Sequence, residues 1–519
     1  MVNTIDRKPV AAEHRAAHGA VVGIVGLLLG LAQSVVQVPL LLNFWSSQNY
    51  GLWAAITASS ALLTALDAGH QNYLGNEFNR LWVSGAAEIR QVVASGFRCA
   101  FCIAAFELML ALGVCYNREA GLLLFGDIDP SATPQIASAV LVYIVFWGLN
   151  GSVGGILVRL YPPAGLYAWG QWLGIASRLT GFAALVCAVA SGASLLGVMF
   201  AQVAAYSAFN LFLFSDLRRR IPGVYPWWQG GDWKTAWSNF RASIVLTFNS
   251  IIDQVANNGL VLILVHAVNP VGIAVFTTLR TVANTATQGS TVIMQPIVPD
   301  AVRYYVNREP TKLAAVFSVG WMVGNSLVCA GFLLGLPVVE FLYMQWTRHR
   351  LPFDRVLFVM LVFAVAARQW AAPAQTLLVG LNSLREQTVL VLLRVFITLV
   401  LILVLLNRFG LAAAGVGLAA GETSGAIAAI IFARLVLRKI SGSLPCRALW
   451  LSIAQLALLA AGLLCFVLSE NHGALPWIIL SAIGVLILAV WQWIELPRGV
   501  QSRLGMVMPR INRFGARFA

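Results

Sequence analysis

Apolar stretches long enough to cross a bilayer core of about 30 Å follow one another along this chain, separated by short polar breaks. Their pattern divides it into about fourteen spans, roughly 19–45, 50–74, 92–116, 135–158, 165–190, 193–215, 241–266, 270–296, 313–338, 356–380, 387–406, 413–436, 448–468 and 476–494. An all-α polytopic membrane protein is therefore predicted. The second span is the most informative. Thr57, Ser60, Thr64, Asp67 and Gln71 fall at steps of three and four, and so share one helix face. Hydrocarbon offers such groups no hydrogen-bond partner, and each unsatisfied one costs several kcal/mol. The stripe is expected to face a watery cavity or another polar helix.

A shift of 221 residues lays the second span on the eighth: Thr57 meets Thr278, Ser60 meets Thr281, Thr64 meets Thr285 and Asp67 meets Gln288. The same shift pairs Gln33 with Gln254 and Gln37 with Asn258, and after a short gap Arg178 meets Arg394. A unit with an even number of spans repeats in the same orientation. Two parallel six-helix lobes are thus expected, 1–215 and 241–440, with a cavity between them. The connector 216–240 holds Arg218, Arg219 and Arg220, Pro222 and Pro226, and Trp227, Trp228, Trp233 and Trp237, as suits a cytoplasmic linker lying on the membrane. Residues 441–496, with the last two spans, have no counterpart in the repeat, and 497–519 form a basic tail.

Composition agrees with this class. The 519 residues are 59% hydrophobic and 10% charged, against about 25% charged in soluble domains. A net charge of +14 would suit nucleic acid, but position argues otherwise. Of 34 Lys and Arg, only Arg118, Arg348, Arg350, Arg355 and Arg408 fall in the loops of one side. Arg98, Arg178, Arg280, Arg368 and Arg394 lie within spans, and the rest gather on the other side. This positive-inside bias places both termini in the cytoplasm, and no basic soluble domain exists to bind nucleic acid. The seven Cys lie mostly within spans and form no disulfide framework. With no Gly-rich phosphate loop, zinc-ligand spacing or large outer loop, a transporter without a resident cofactor is expected rather than an enzyme.

VPLLLNFWSSQNYGLW (38–53) followed by LLTALDAGHQN (62–72) resembles the opening of the polysaccharide transporter branch, the O-antigen (Wzx-type) flippases, of the multidrug/oligosaccharidyl-lipid/polysaccharide (MOP) exporter superfamily. That branch typically shows an apolar run with Pro, a short polar turn, Tyr-Gly-x-Trp, then Leu-x-x-Leu-Asp-x-Gly. Ser46 and Ser47 stand where many relatives have Gly, and His70 where an apolar residue is usual. The resemblance covers residues 36–80 sharply and the rest by architecture. It implies a MOP/MATE-like core of two six-helix lobes, here with two further helices, in a bacterial inner membrane. It also implies a flippase for undecaprenyl-diphosphate-linked oligosaccharide, the repeat unit of O-antigen or exopolysaccharide. Alternating access driven by H⁺ or Na⁺ antiport follows, with membrane lipids and polysaccharide polymerase or assembly proteins as partners. Multidrug export, lipid II as cargo and a non-transporting assembly scaffold remain as alternatives.

Ionisable groups at membrane depth are costly and mark function by default. Arg280 lies mid-span among Thr277, Thr281, Asn284 and Gln288. The diphosphate cargo implied by the resemblance needs a fixed cation, and the planar guanidinium fork suits phosphate oxygens. Arg178, Arg368 and Arg394 are further cavity candidates, with Thr57, Thr64, Gln71, Asn284 and Gln288. For these arginines, pairing with Glu107 or Glu422 is the competing expectation. Asp67, Asp253 and Glu422 are candidates for ion coupling. Asp253 shares a face with Asn249 and Asn257, and Glu422 sits on a ridge of Gly417, Gly421 and Gly425 that calls for a close helix neighbour.

Overall fold

The computed structural model describes residues 12–82, 85–117, 133–265, 268–294, 301, 304–305, 307–381, 383–469 and 473–496. All regular structure among them is helical. The helices are α1 (Ala12–Phe44), α2 (Ser47–Leu63), α3 (Ala65–Leu81), α4 (Ala86–Tyr116), α5 (Thr133–Phe146), α6 (Ser152–Val158), α7 (Tyr167–Ala190), α8 (Leu195–Arg220) and α9 (Trp233–Gln254). They continue as α10 (Leu260–Val265), α11 (Pro270–Met294), α12 (Pro310–Gly320), α13 (Ser326–Trp346), α14 (Arg355–Gly380), α15 (Leu384–Phe409), α16 (Ala412–Arg438), α17 (Cys446–Leu468) and α18 (Leu475–Glu495).

Among the described residues ten helices are long and apolar enough to cross a membrane, or eleven when the bent pair α2–α3 is taken as one span. The chain is a multi-pass, all-helical membrane protein. Of the other expected spans, the fourth and seventh are helices interrupted by π-turns at Trp147–Gly151 and Val255–Gly259, and the eighth is α11 with its polar face. Side-chain oxygens fix several helix starts: Ser46 accepts from the amide of Asn49, Ser194 from Gly197 and Asp354 from Leu357.

Contacts divide the chain into two compact units, Met1–Ala274 and Val275–Ala519. In the first unit α3 and α4 enclose a core of Leu74, Phe78, Ile89, Val93, Ile156 and Leu213. Segment 216–240 contributes to that core through Trp227, which is buried, while Trp228, Trp233 and Trp237 remain exposed. Helix α9, which the repeat placed at the head of the second lobe, packs along α3 and α4 inside the first unit. Its N-cap is Asp232, whose carboxylate accepts from the Thr235 amide at 2.7 Å and from Gln91 Nε2 on α4 at 2.8 Å. These bonds to Gln91 and Thr235 hold that carboxyl down to about 2, below its ordinary 3.8. A lowered acid group stabilises above its ordinary pKa and loses that contribution as pH falls through the lowered one. The wild-type thermal midpoint is thus expected to drop between pH 3.8 and about 2 more steeply than that of Asp232→Asn, measured by melting in detergent.

In the second unit the last two helices are not loosely appended. Asn325, in the π-turn between α12 and α13, donates to the Ser452 carbonyl at 3.1 Å and to Gln455 Oε1 at 2.9 Å. Gln455 Nε2 donates to Ser326 Oγ at 2.7 Å, and Trp370 Nε1 of α14 donates to Ser452 Oγ at 2.9 Å. Gln455 and Asn325 are fully buried, so a broken bond there finds no water. Gln455→Ala is expected to cost about 1–3 kcal/mol through the partners it leaves unsatisfied, visible as a lower thermal midpoint of the purified protein.

Candidate anion-binding site

Four helices of the second unit each bring one charged side chain to a common region at membrane depth. Arg280 comes from α11, Arg368 from α14, Arg394 from α15 and Glu422 from α16. Arg394 Nη1 stands 3.7 Å from Glu422 Oε1, and both side chains are nearly buried. Arg280 feels the repulsion of Arg368, the attraction of Glu422 and the repulsion of Arg394, in that order. Its guanidinium also lies 5.8 Å from the centre of the Phe276 ring. Arg368 is exposed. Among the described residues, three cations and one carboxylate give the group a net charge of +2.

Local sequence explains why α15 and α16 come close enough. A Cβ at Gly421 would lie 2.0 Å from Thr398 Oγ1 and 2.8 Å from the Arg394 carbonyl. At Gly417 it would meet Ile402 at 2.6 Å. The glycine ridge therefore presses directly on α15 and sets Glu422 beside Arg394. Asn284 is half-buried, one turn beyond Arg280. The side chains of Gln288 and Asp253 lie outside the described residues.

Hydroxyls of both polar stripes bond back to their own helices. Thr57 Oγ1 donates to the carbonyls of Ala54 (2.9 Å) and Trp53 (3.0 Å), and Thr64 Oγ1 donates to Ser60 O (2.9 Å). On α11, Thr281 donates to Thr277 O (2.8 Å) and Thr285 to Val282 O (2.6 Å). A hydroxyl turned onto its own helix needs no water. What remains of the first stripe is Ser60, fully buried, and Asp67 and Gln71, near the 51° bend between α2 and α3.

Asp67 and Gln71 belong to a partly buried network in the first unit. Gln71 Nε2 donates to Asp67 Oδ2, and Gln71 Oε1 accepts from Arg159 Nη1 at 2.9 Å. Arg159 also donates to Gly155 O (2.6 Å) and to Asn72 Oδ1 (2.7 Å). Gly75 and Gly155 make room for it: a Cβ at Gly155 would sit 2.1 Å from Gln71 Oε1, and one at Gly75 would sit 2.8 Å from Arg159 Cδ. Arg178 is exposed and turned towards α1, with Nη1 at 3.4 Å from Gly26 O, and so joins neither group. Sequence reasoning passed over Arg159 because it follows the fourth span by one residue and counted as a loop cation. Glu107 was considered only as a partner for arginine.

No family model matches this chain, and no curated protein matches it in sequence. Solved structures match in fold. An inward-facing multidrug resistance MATE family transporter of the MOP superfamily aligns with a TM-score of 0.65 at 12% identity, over 80% of this chain and 95% of its own. The lipid II flippase MurJ, in an inward closed conformation, aligns with a TM-score of 0.59 at 12% identity, over 92% and 99%. A MOP superfamily transporter from Pyrococcus furiosus, described as having a binding pocket of reverse polarity, aligns with 0.53 at 13% identity, over 83% and 96%. The chain thus shares the fold of MOP superfamily transporters.

Proposed function

We propose that this protein translocates a polyprenyl-diphosphate-linked oligosaccharide across a bacterial inner membrane by alternating access. The observation that carries this reading is the meeting of Arg280, Arg368 and Arg394 around one carboxylate among the described residues, Glu422. A cluster of positive charge at membrane depth is expensive and suits an anionic cargo. A diphosphate diester brings the two negative charges that would neutralise the group, and guanidinium forks bind its oxygens bidentately. Small cationic drugs would be repelled, which argues against multidrug export.

The lipid tail has a place as well. A groove of about 720 Å³ runs between α14, α16 and α17, lined by apolar residues such as Val359, Phe363, Val416, Ile427, Leu463 and Val467. The two hydroxyls on its wall, Thr423 and Ser424, donate back to the carbonyls of Ala419 and Gly421, which leaves the surface apolar. Glu422 stands between groove-lining Ala420 and Thr423 on α16, so headgroup and isoprenoid would be held by adjacent faces of one helix.

The test is reconstitution. Proteoliposomes carrying the chain should speed transbilayer movement of a fluorescent polyprenyl-diphosphate glycolipid, and inorganic pyrophosphate should compete. Movement of a lipophilic cation in place of the glycolipid would overturn the reading.

A further inference from the structure

The network of Gln71 and Arg159 opens onto a second concave site, which the cationic group does not use. A notch of about 360 Å³ lies there in the first unit, lined by Asn72, Gly75, Asn76, Asn79, Arg159 and Pro162. Steps of four and three put the three asparagines on one face of α3, and all three are exposed. The stem of Arg159 passes Gly75, where a Cβ would fall 2.8 Å from its Cδ, so only glycine lets the guanidinium reach this place.

The lining is held in position by its own bonds. Arg159 Nη1 gives its hydrogens to Gln71 Oε1 at 2.9 Å and Gly155 O at 2.6 Å, and Nη2 gives one to Asn72 Oδ1 at 2.7 Å. Asn79 Nδ2 donates to Gly75 O at 3.0 Å. Pro162 belongs to the turn after α6, which closes by a bond from the Gly165 amide to Pro162 O at 3.0 Å, with Gly165 at φ 75°. Fully buried Tyr161 pins that turn by donating to Asp216 Oδ2 at 2.8 Å. A preformed lining of this kind spends little entropy on ordering when a ligand enters.

What these bonds leave over points to the ligand. Among the described residues, Nε–H and one Nη2 hydrogen of Arg159, the Asn72 amide group, the Asn79 carbonyl and both ends of the Asn76 carboxamide have no partner. Donors and acceptors are therefore interleaved. An anion only accepts, and would face the asparagine oxygens. A sugar ring carries hydroxyls that both donate and accept, and two neighbouring hydroxyls match the two ends of a carboxamide. Arg159 is the one charged residue in the described lining, and Glu77 on the same helix pairs with Arg80. Sites for small molecules start at about 300 Å³, so the notch has room for about one ring.

We infer that this notch is a sugar-reading subsite, in which Asn76 and Asn79 bond the hydroxyls of one ring of the cargo's oligosaccharide while Arg159 and Asn72 hold the notch open. The inference rests on the translocation reading for the source of the sugar. It deepens that reading by assigning glycan selectivity to neutral carboxamides of the first unit. The notch follows the half of α3 that ends in Arg80, which the positive-inside bias assigns to the cytoplasm, where cargo is taken up.

The experiment compares two probes on the full-length protein: the fluorescent polyprenyl-diphosphate glycolipid and the same lipid stripped of its sugars. Binding is followed by native mass spectrometry in detergent, so it needs no transport. The wild type should bind the glycolipid more tightly. Asn76→Ala and Asn79→Ala should each weaken glycolipid binding by about 3- to 10-fold, the worth of one hydrogen bond, and leave the stripped lipid unchanged. If Asn76→Ala does not accumulate, Asn76→Asp serves, since it keeps the size and loses the donor. Equal wild-type affinity for both lipids overturns the inference, as do variants that keep the preference or weaken both lipids alike. Sugar-dependent binding without transbilayer movement in proteoliposomes would remove the translocation reading and leave the subsite standing. Movement of the glycolipid with the wild-type preference intact in both variants would do the reverse.

Discussion

Arg280→Ala is expected to slow glycolipid translocation by about 30-fold or more at matched protein content. Truncating one partner of a buried, hydrogen-bonded charge pair costs about 2–5 kcal/mol, and each 1.4 kcal/mol is about tenfold. The loss is not rescued by neighbours: Arg368 and Arg394 already repel Arg280, and Arg394 is drawn to Glu422 at 3.7 Å. Arg280→Lys keeps the charge and gives up the two-pronged geometry, so its rate should fall between wild type and Ala. Glu422→Gln works in the opposite direction. It removes a carboxylate that competes for the cations, so pyrophosphate should compete at lower concentration while turnover falls through slower release. Fluorescence quenching of labelled glycolipid in proteoliposomes measures all three. Wild-type rates in Arg280→Ala would take the cationic group out of the transport path.

The residues of this group were legible because a charge within an apolar span is rare, and Arg280, Arg368, Arg394 and Glu422 each stand out against their own helix. The glycine spacing at 417, 421 and 425 likewise foretold a helix neighbour, which is α15. The fate of the hydroxyls was not legible. Periodicity assigns Thr57, Thr64, Thr281 and Thr285 to a face, but a choice of χ1 rotamer decides whether each seeks water or its own backbone. The network of Asp67, Gln71 and Arg159 was hidden for another reason. Its decisive bond joins residues 88 positions apart, and the signal that permits it is small side chains, at Gly75 and Gly155. Packing of α9 also escaped the repeat, since a repeat describes chain pattern, whereas the neighbour of α9 is chosen by where backbones can approach.

That approach sets the largest expected stability effect. Gly69 lies where α3 meets α9: a Cβ there would fall 2.2 Å from Thr247 Cα and 2.3 Å from its amide nitrogen. Both obstacles are backbone, so no side-chain rotation relieves them, and the helices must move apart. Separation would loosen the packing of Leu66 with Ala236 and Phe240 and draw His70 away from Ser243, leaving buried polar atoms unpaired. Gly69→Ala should therefore destabilise by about 3 kcal/mol, from overpacking at about 1–3 kcal/mol plus the unpaired groups. Gly331 on α13 offers the control, because a Cβ there meets nothing within 4 Å. Gly331→Ala should be neutral or raise stability by up to about 1 kcal/mol, since Ala favours helix over Gly. Thermal melting of both variants in one detergent decides the matter: equal midpoints would mean that α3 and α9 do not meet at Gly69.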